Sequence, residues 1–140
     1  MRKLTRLLLA TGASVLLLAG TPIVAEAEPH AAQEAAVPAA GDGYFHIYLD
    51  AGFAYECYKA GGNVRNYQTI GCNDIASSVI NSGYPGNLDD VWMYQDANYL
   101  GQRRGIYNGV SISNLANFAY DDGVTNMNDS ISSSQWTNLP

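Results

Sequence analysis

Short runs of aromatic and β-branched residues, YFHIYL (44–49), VWMYQ (91–95) and ISNLANFAY (112–120), are separated along the chain by stretches of Gly, Asn, Asp and Ser. Runs of this kind suit a pleated, half-buried surface, and the breakers between them suit tight turns. The pattern predicts several short antiparallel strands and an all-β domain. The N-terminal part follows other rules. LLLATGASVLLLAG (7–20) lies behind Arg2, Lys3 and Arg6 and is followed by AEA (25–27), so residues 1–27 read as a secretory signal peptide. Residues 28–40, EPHAAQEAAVPAA, have no aromatic residue and read as a flexible leader. No other segment is apolar enough to span a bilayer, so 41–140 is expected to be one exported domain with no membrane attachment after cleavage.

Within that domain the chain repeats itself. YLDAGF (48–53) matches YQDANY (94–99) at an offset of 46, and NDIASS (73–78) matches NDSISS (128–133) at an offset of 55. Between these anchors the second unit is nine residues longer, and FAYDDGVTN (118–126) is the candidate for the extra loop. Each unit reads as an aromatic strand, a hairpin, a strand, a Gly-containing loop, and the polar hexapeptide before a last strand. Motif one covers about 44–82 and motif two about 91–136. Neither unit can bury its apolar face alone, which predicts a two-sheet sandwich.

Charge narrows the partners. From Glu28 onward four basic residues stand against twelve acidic ones, a formal charge of −8. Such a chain is a poor partner for nucleic acid or anionic lipid and an attractive one for cations. Cys57 and Cys72 are either one disulfide or a pair of buried thiols, and export favours the disulfide. The polar hexapeptides also have two readings. Asn, Asp and Ser build Asx- and ST-turns that start strands. They also supply the carboxylate, hydroxyl and carbonyl oxygens that Ca²⁺ takes six to eight of, without the alternate-position pattern of an EF-hand.

With YQDANYLG (94–101) and MNDSISS (127–133) in register, the chain resembles a βγ-crystallin domain, which implies that the sandwich is built of two Greek-key motifs, and the resemblance spans Tyr44 to Trp136. The first hairpin, YLDAGFAY, departs from the pattern by placing Tyr55 where the family has Gly, which implies strain if that position needs φ > 0. In that family the paired stretches build two calcium sites, each completed across the pair. The resemblance implies side-chain ligands Asp74, Ser77, Asp129 and Ser132, with main-chain carbonyls from Ile75 and Ser130. One carboxylate per site implies modest affinity, in the ~10⁻⁴–10⁻³ M range of extracellular modules.

Catalysis is not expected. His30 lies in the leader and His46 in the first strand, and no H-E-x-x-H, G-x-S-x-G or Cys/His cluster occurs. Asp89-Asp90 and Asp121-Asp122 read as solvated loop charge, and Trp92 and Trp136 as core. The plan and the YQDANYLG…NDSISS motifs further resemble a secreted bacterial family of βγ-crystallin-fold inhibitors of thermolysin-like metalloproteinases. That resemblance implies a monomeric protein holding a rigid loop in an extracellular metalloproteinase. The Cys57–Cys72 segment, with Val64, is the candidate loop. A calcium-stabilised envelope module without a protease target, and a small antimicrobial toxin, are the alternatives.

Overall fold

The computed structural model describes residues 41–140; the segments read as a signal peptide (1–27) and a leader (28–40) lie outside the described residues. Seven strands run β1 (Tyr44–Asp50), β2 (Ala54–Ala60), β3 (Ser78–Ser82), β4 (Asp90–Asp96), β5 (Leu100–Ile106), β6 (Ser111–Ile112) and β7 (Ser133–Thr137). Two 3₁₀ turns, Tyr67–Ile70 and Leu115–Asn117, interrupt them. The domain is all-β, with antiparallel sheets ordered β2-β1-β3-β6 and β5-β4-β7.

Strand alternation places the core. Along β1, Phe45 and Ile47 are fully buried, while Tyr44, His46 and Tyr48 between them are half-buried on the outer face. Val91 and Met93 do the same on β4. With Val79, Ile106, Ile112, Leu115, Met127 and Ile131 they form one cluster between the sheets, closed at its edges by Tyr67 and Tyr120. Burying a large apolar side chain contributes ~1.5–3 kcal/mol, so this shared cluster is the main reason the two motifs are one unit.

The motifs also exchange strands. β6 belongs to the second motif but pairs with β3 of the first, Val79 opposite Ile112. In return Val64 of the first motif bridges Ser134 on β7, with both backbone N–H···O bonds at 2.9 Å. Each motif's third strand therefore completes the other motif's sheet. Asn66 and Asn114 occupy matching places before the 3₁₀ turns, each side chain accepting from the N–H two residues on at 2.9 Å. The offset between copies is 46 at the hairpins, 48 at these caps and 55 at the hexapeptides. Two of the nine extra residues thus precede the second 3₁₀ turn and seven follow it. The latter form a small hairpin, bridged Ala119 to Asn126 and folded onto β5, where Arg104 Nη1 donates to Ala119 O at 2.9 Å.

Several polar residues do more than the pattern suggests. Asp90, expected in solvated loop charge, is buried and accepts from the backbone of Asn108 (2.9 Å) and Leu139 (2.8 Å). Trp92 and Trp136, expected in the core, are half-buried, and Arg103 stacks on the Trp92 ring at 4.2 Å. Cys57 and Cys72 form a disulfide with Cα atoms 6.1 Å apart, tying β2 to the segment after the first 3₁₀ turn.

The hairpin irregularity is real. Gly52, Phe53 and Tyr55 have φ of 75°, 63° and 55°, matching Asn98, Tyr99 and Gly101 at 63°, 64° and 75°. Tyr55 therefore adopts the left-handed conformation that its counterpart Gly101 enters without a side-chain clash, and the residue is 74% exposed, so little packing offsets the strain. A left-handed L-residue costs roughly 1–2 kcal/mol. Tyr55→Gly is expected to raise stability by about 1 kcal/mol, and the melting temperature by about 4–8 °C for a domain of this size. Gly101→Tyr should lower both, because a Cβ there would sit 2.6 Å from Asp96 Oδ2. Unchanged melting of both variants by calorimetry would contradict the assignment of strain.

Candidate metal centre

Each hexapeptide is the loop that delivers the chain to its motif's last strand, NDIASS to β3 and NDSISS to β7. In both, the aspartate takes a left-handed conformation, Asp74 at φ 55° and Asp129 at φ 53°, which Asp tolerates better than most residues. The preceding asparagine donates to one carboxylate oxygen, Asn73 Nδ2 to Asp74 Oδ2 at 2.5 Å and Asn128 Nδ2 to Asp129 Oδ2 at 2.7 Å. That leaves Oδ1 of each aspartate turned to the other loop.

The loops meet reciprocally. Ser132 Oγ donates to Asp74 Oδ1 at 2.9 Å, and Ser77 Oγ to Asp129 Oδ1 at 3.4 Å. The backbones repeat the exchange, with Asp74 N–H donating to Ile131 O (3.3 Å) and Asp129 N–H to Ala76 O (3.0 Å). The four sequence-predicted side chains are thus brought together as two crossed pairs, Asp74 with Ser132 and Asp129 with Ser77. Neither pair comes from one motif.

The two serines of each copy have different tasks. Ser77 and Ser132 face the other loop, and their N–H groups donate at 2.9 Å to Tyr48 O and Tyr94 O. Ser78 and Ser133 turn the other way. Ser78 Oγ donates to Asp50 O (2.6 Å) and accepts from Phe53 N–H (3.0 Å); Ser133 Oγ donates to Asp96 O (2.6 Å) and accepts from Tyr99 N–H (3.1 Å). These buried hydroxyls pin the left-handed hairpins over the hexapeptides. Sequence reasoning gave them no role; the doubled Ser-Ser was the available signal.

Of the two predicted carbonyl donors, Ile75 is exposed and its C=O has no hydrogen-bond donor among the described residues. The Ser130 carbonyl accepts from Tyr120 Oη–H at 3.0 Å, which leaves it one lone pair. Tyr120, from the seven-residue insertion, braces only the second loop. Burial pushes its phenol up to about 12 against the Ser130 hydrogen bond, and the Asp74 and Asp96 carboxylates add to the shift. Tyr67 is fully buried, its hydroxyl has no partner among the described residues, and burial pushes its phenol up further.

In chemical terms the centre is a carboxylate-poor, oxygen-only donor set: one carboxylate, one hydroxyl and nearby carbonyls per pair. No group of three His, Cys, Asp or Glu side chains converges among the described residues, and the donors that do meet are oxygens, the type that hard cations take rather than thiolate- or imidazole-seeking metals. His46, the one histidine among the described residues, is half-buried on the outer face, between Asp42 (3.0 Å) and Glu56. Its two ring nitrogens point to different carboxylates, so they do not converge on one point.

No family model matches the chain, and no curated protein matches it in sequence. The fold does match solved structures. A βγ-crystallin domain from work on the evolution of the eye-lens fold is 22% identical, covers 72% of this chain and 90% of its own, and superposes with a TM-score of 0.56. A βγ-crystallin from Ciona intestinalis is 19% identical over 68% of this chain and all of its own, with a TM-score of 0.52. The N-terminal domain of protein S is 18% identical over 69% of this chain and 98% of its own, with a TM-score of 0.51. The fold is that of a βγ-crystallin domain.

The buried phenols set an alkaline limit. A phenol whose folded pKa lies above its unfolded value of 10 favours the folded state below pH 10, and that contribution is lost as pH rises toward about 12. Stability should be flat to pH 10 and then fall, with part of the phenolate absorbance appearing only on unfolding. Titration of all ten tyrosines near pH 10 with the fold intact would contradict this placement.

Proposed function

We propose that this is an exported, calcium-binding βγ-crystallin-type module whose two sites are built around the crossed pairs Asp74–Ser132 and Asp129–Ser77. The observation that carries the reading is the reciprocity itself: both aspartates direct their second carboxylate oxygen at a hydroxyl of the other motif. A turn that served only to start a strand would not need a partner loop 55 residues away. The Ile75 and Ser130 carbonyls are the main-chain donors, and Tyr120 makes the Ser130 site the stiffer of the two. Export is supported by the signal-like N-terminus, and a binding role rather than catalysis by the donor set.

Bound calcium would bridge the two motifs and stabilise the folded state preferentially. An extracellular metalloproteinase remains the partner to which the sequence resemblance points. Val64 is not its contact residue in this reading, because both its backbone groups are engaged by Ser134.

Calorimetric titration of the oxidised domain with Ca²⁺ should show saturable heat at ~10⁻⁴–10⁻³ M. At 10 mM Ca²⁺ the stabilisation should be about 1.4–2.7 kcal/mol per site, seen as a raised melting temperature. Asp129→Ala should remove one site and about half of that gain. No heat and no melting shift up to 10 mM Ca²⁺ would overturn the reading. Inhibition of a thermolysin-like enzyme, assayed in the same calcium, is expected to be lost with Asp74→Ala and Asp129→Ala only where calcium holds the inhibitory surface in shape.

A further inference from the structure

At the opposite end of β3 and β7 from the hexapeptides, an open cleft of about 420 Å³ is lined by Gly43, Gly61, Asn63, Tyr84, Asn87 and Trp136, among others. No charged side chain lines it, although the chain carries thirteen acidic and seven basic residues. Ligands with phosphate, carboxylate or ammonium groups would find no counter-charge there, so the cleft suits a neutral molecule.

Its aromatic rings are held in place by close approach to glycines. A Cβ on Gly43 would sit 2.6 Å from the Tyr84 ring, and one on Gly83 would sit 2.7 Å from the Trp136 ring. Tyr84 thus rests on the backbone of Gly43 while 69% of the residue stays exposed. A ring held by a close backbone contact yet largely exposed is a preformed surface for stacking.

The amides beside these rings are fixed by a chain of hydrogen bonds. Trp136 N–H donates to Asn63 at 2.8 Å, so the atom it meets must be Oδ1, and Asn63 Nδ2 is left as a donor. Leu88 N–H fixes Asn138 Oδ1 at 2.6 Å, which turns Asn138 Nδ2 onto Asn87 Oδ1 at 3.0 Å. Asn87 Nδ2 is left as a second donor. Neither Nδ2, nor the Tyr84 hydroxyl, has a hydrogen-bond acceptor among the described residues.

A ligand that matches this wall presents an apolar face to a ring and neutral oxygen acceptors at its rim. A hydrocarbon would leave both amides unpaired, and an anion would lack a cation. Pyranose rings have this combination: axial C–H groups on one face and hydroxyls around the edge.

We propose that the cleft of Tyr84, Trp136, Asn63 and Asn87 is a binding site for a neutral saccharide, independent of the calcium centre. β3 is five residues long and separates the two ends by about 15 Å, so metal and sugar would not share a ligand.

The test is a titration of the oxidised domain with chitohexaose, cellohexaose and maltohexaose, with hexagalacturonate as the charged control, read by tryptophan fluorescence and by isothermal calorimetry. Saturable binding of at least one neutral hexasaccharide is expected, with a change in Trp136 emission. Tyr84→Ala should weaken it tenfold or more, as should Asn87→Ala, with both variants melting like the parent because these side chains are exposed. Affinity should be unchanged by EDTA at a temperature where the domain remains folded. Absence of binding to all three neutral sugars would overturn the proposal. So would binding that Tyr84→Ala and Asn87→Ala leave intact, or binding of hexagalacturonate alone.

Discussion

Reciprocal exchange between the two motifs is the constraint on which the rest of this structure depends. Neither motif closes its own sheet: β6 completes the first sheet and Val64 extends the second. The same exchange recurs at the hexapeptides, where each aspartate meets the serine of the other copy. The loops that lead into β3 and β7, strands of different sheets, are adjacent, with Asp74 N–H donating to Ile131 O and Asp129 N–H to Ala76 O. The oxygen-rich centre is therefore a consequence of the fold's internal symmetry. A core of shared apolar residues supplies the cohesion, and the polar crossed pairs set the register in which the halves meet.

The symmetry is imperfect, and the departures have identifiable causes. Tyr55 stands where Gly101 does in the second copy and holds the same left-handed backbone. Such strain persists where neighbours over-determine the conformation. Here Ser78 ties Asp50 O and Phe53 N–H together beneath the hairpin. On the other side, seven inserted residues bring Tyr120 under Ser130, and no counterpart among the described residues braces Ile75. The two centres, built from the same six-residue stretch, differ in stiffness.

Much of this was legible from the chain. The period-two burial of β1 and β4 and the repeat at offsets 46 and 55 are written in local sequence, whereas the grouping of Asp74, Ser77, Asp129 and Ser132 was legible only through the resemblance to βγ-crystallin domains. What escaped was what depends on contacts distant in sequence. Val64 looked like an exposed loop residue because nothing nearby reveals that Ser134 pairs with it, 70 residues on. Asp90 looked solvated because its partners, Asn108 and Leu139, arrive from other turns. Trp136 read as core, and it does pack, half-buried, against the core cluster, but nothing local reveals that its ring also lies against Gly83 and lines a cleft. Nor does any motif reveal that the Asn63 and Asn87 amides lie beside one cleft.

The central claim is that the two motifs complete each other's oxygen sites, and a pair of double-mutant cycles in the presence of calcium addresses it most directly. One cycle crosses the motifs, Asp74→Ala with Ser132→Ala; the other stays within one, Asp74→Ala with Ser77→Ala. The crossed geometry predicts a coupling of about 0.5 kcal/mol or more for the first pair and additivity for the second. Coupling within the motif and none across it would contradict the account.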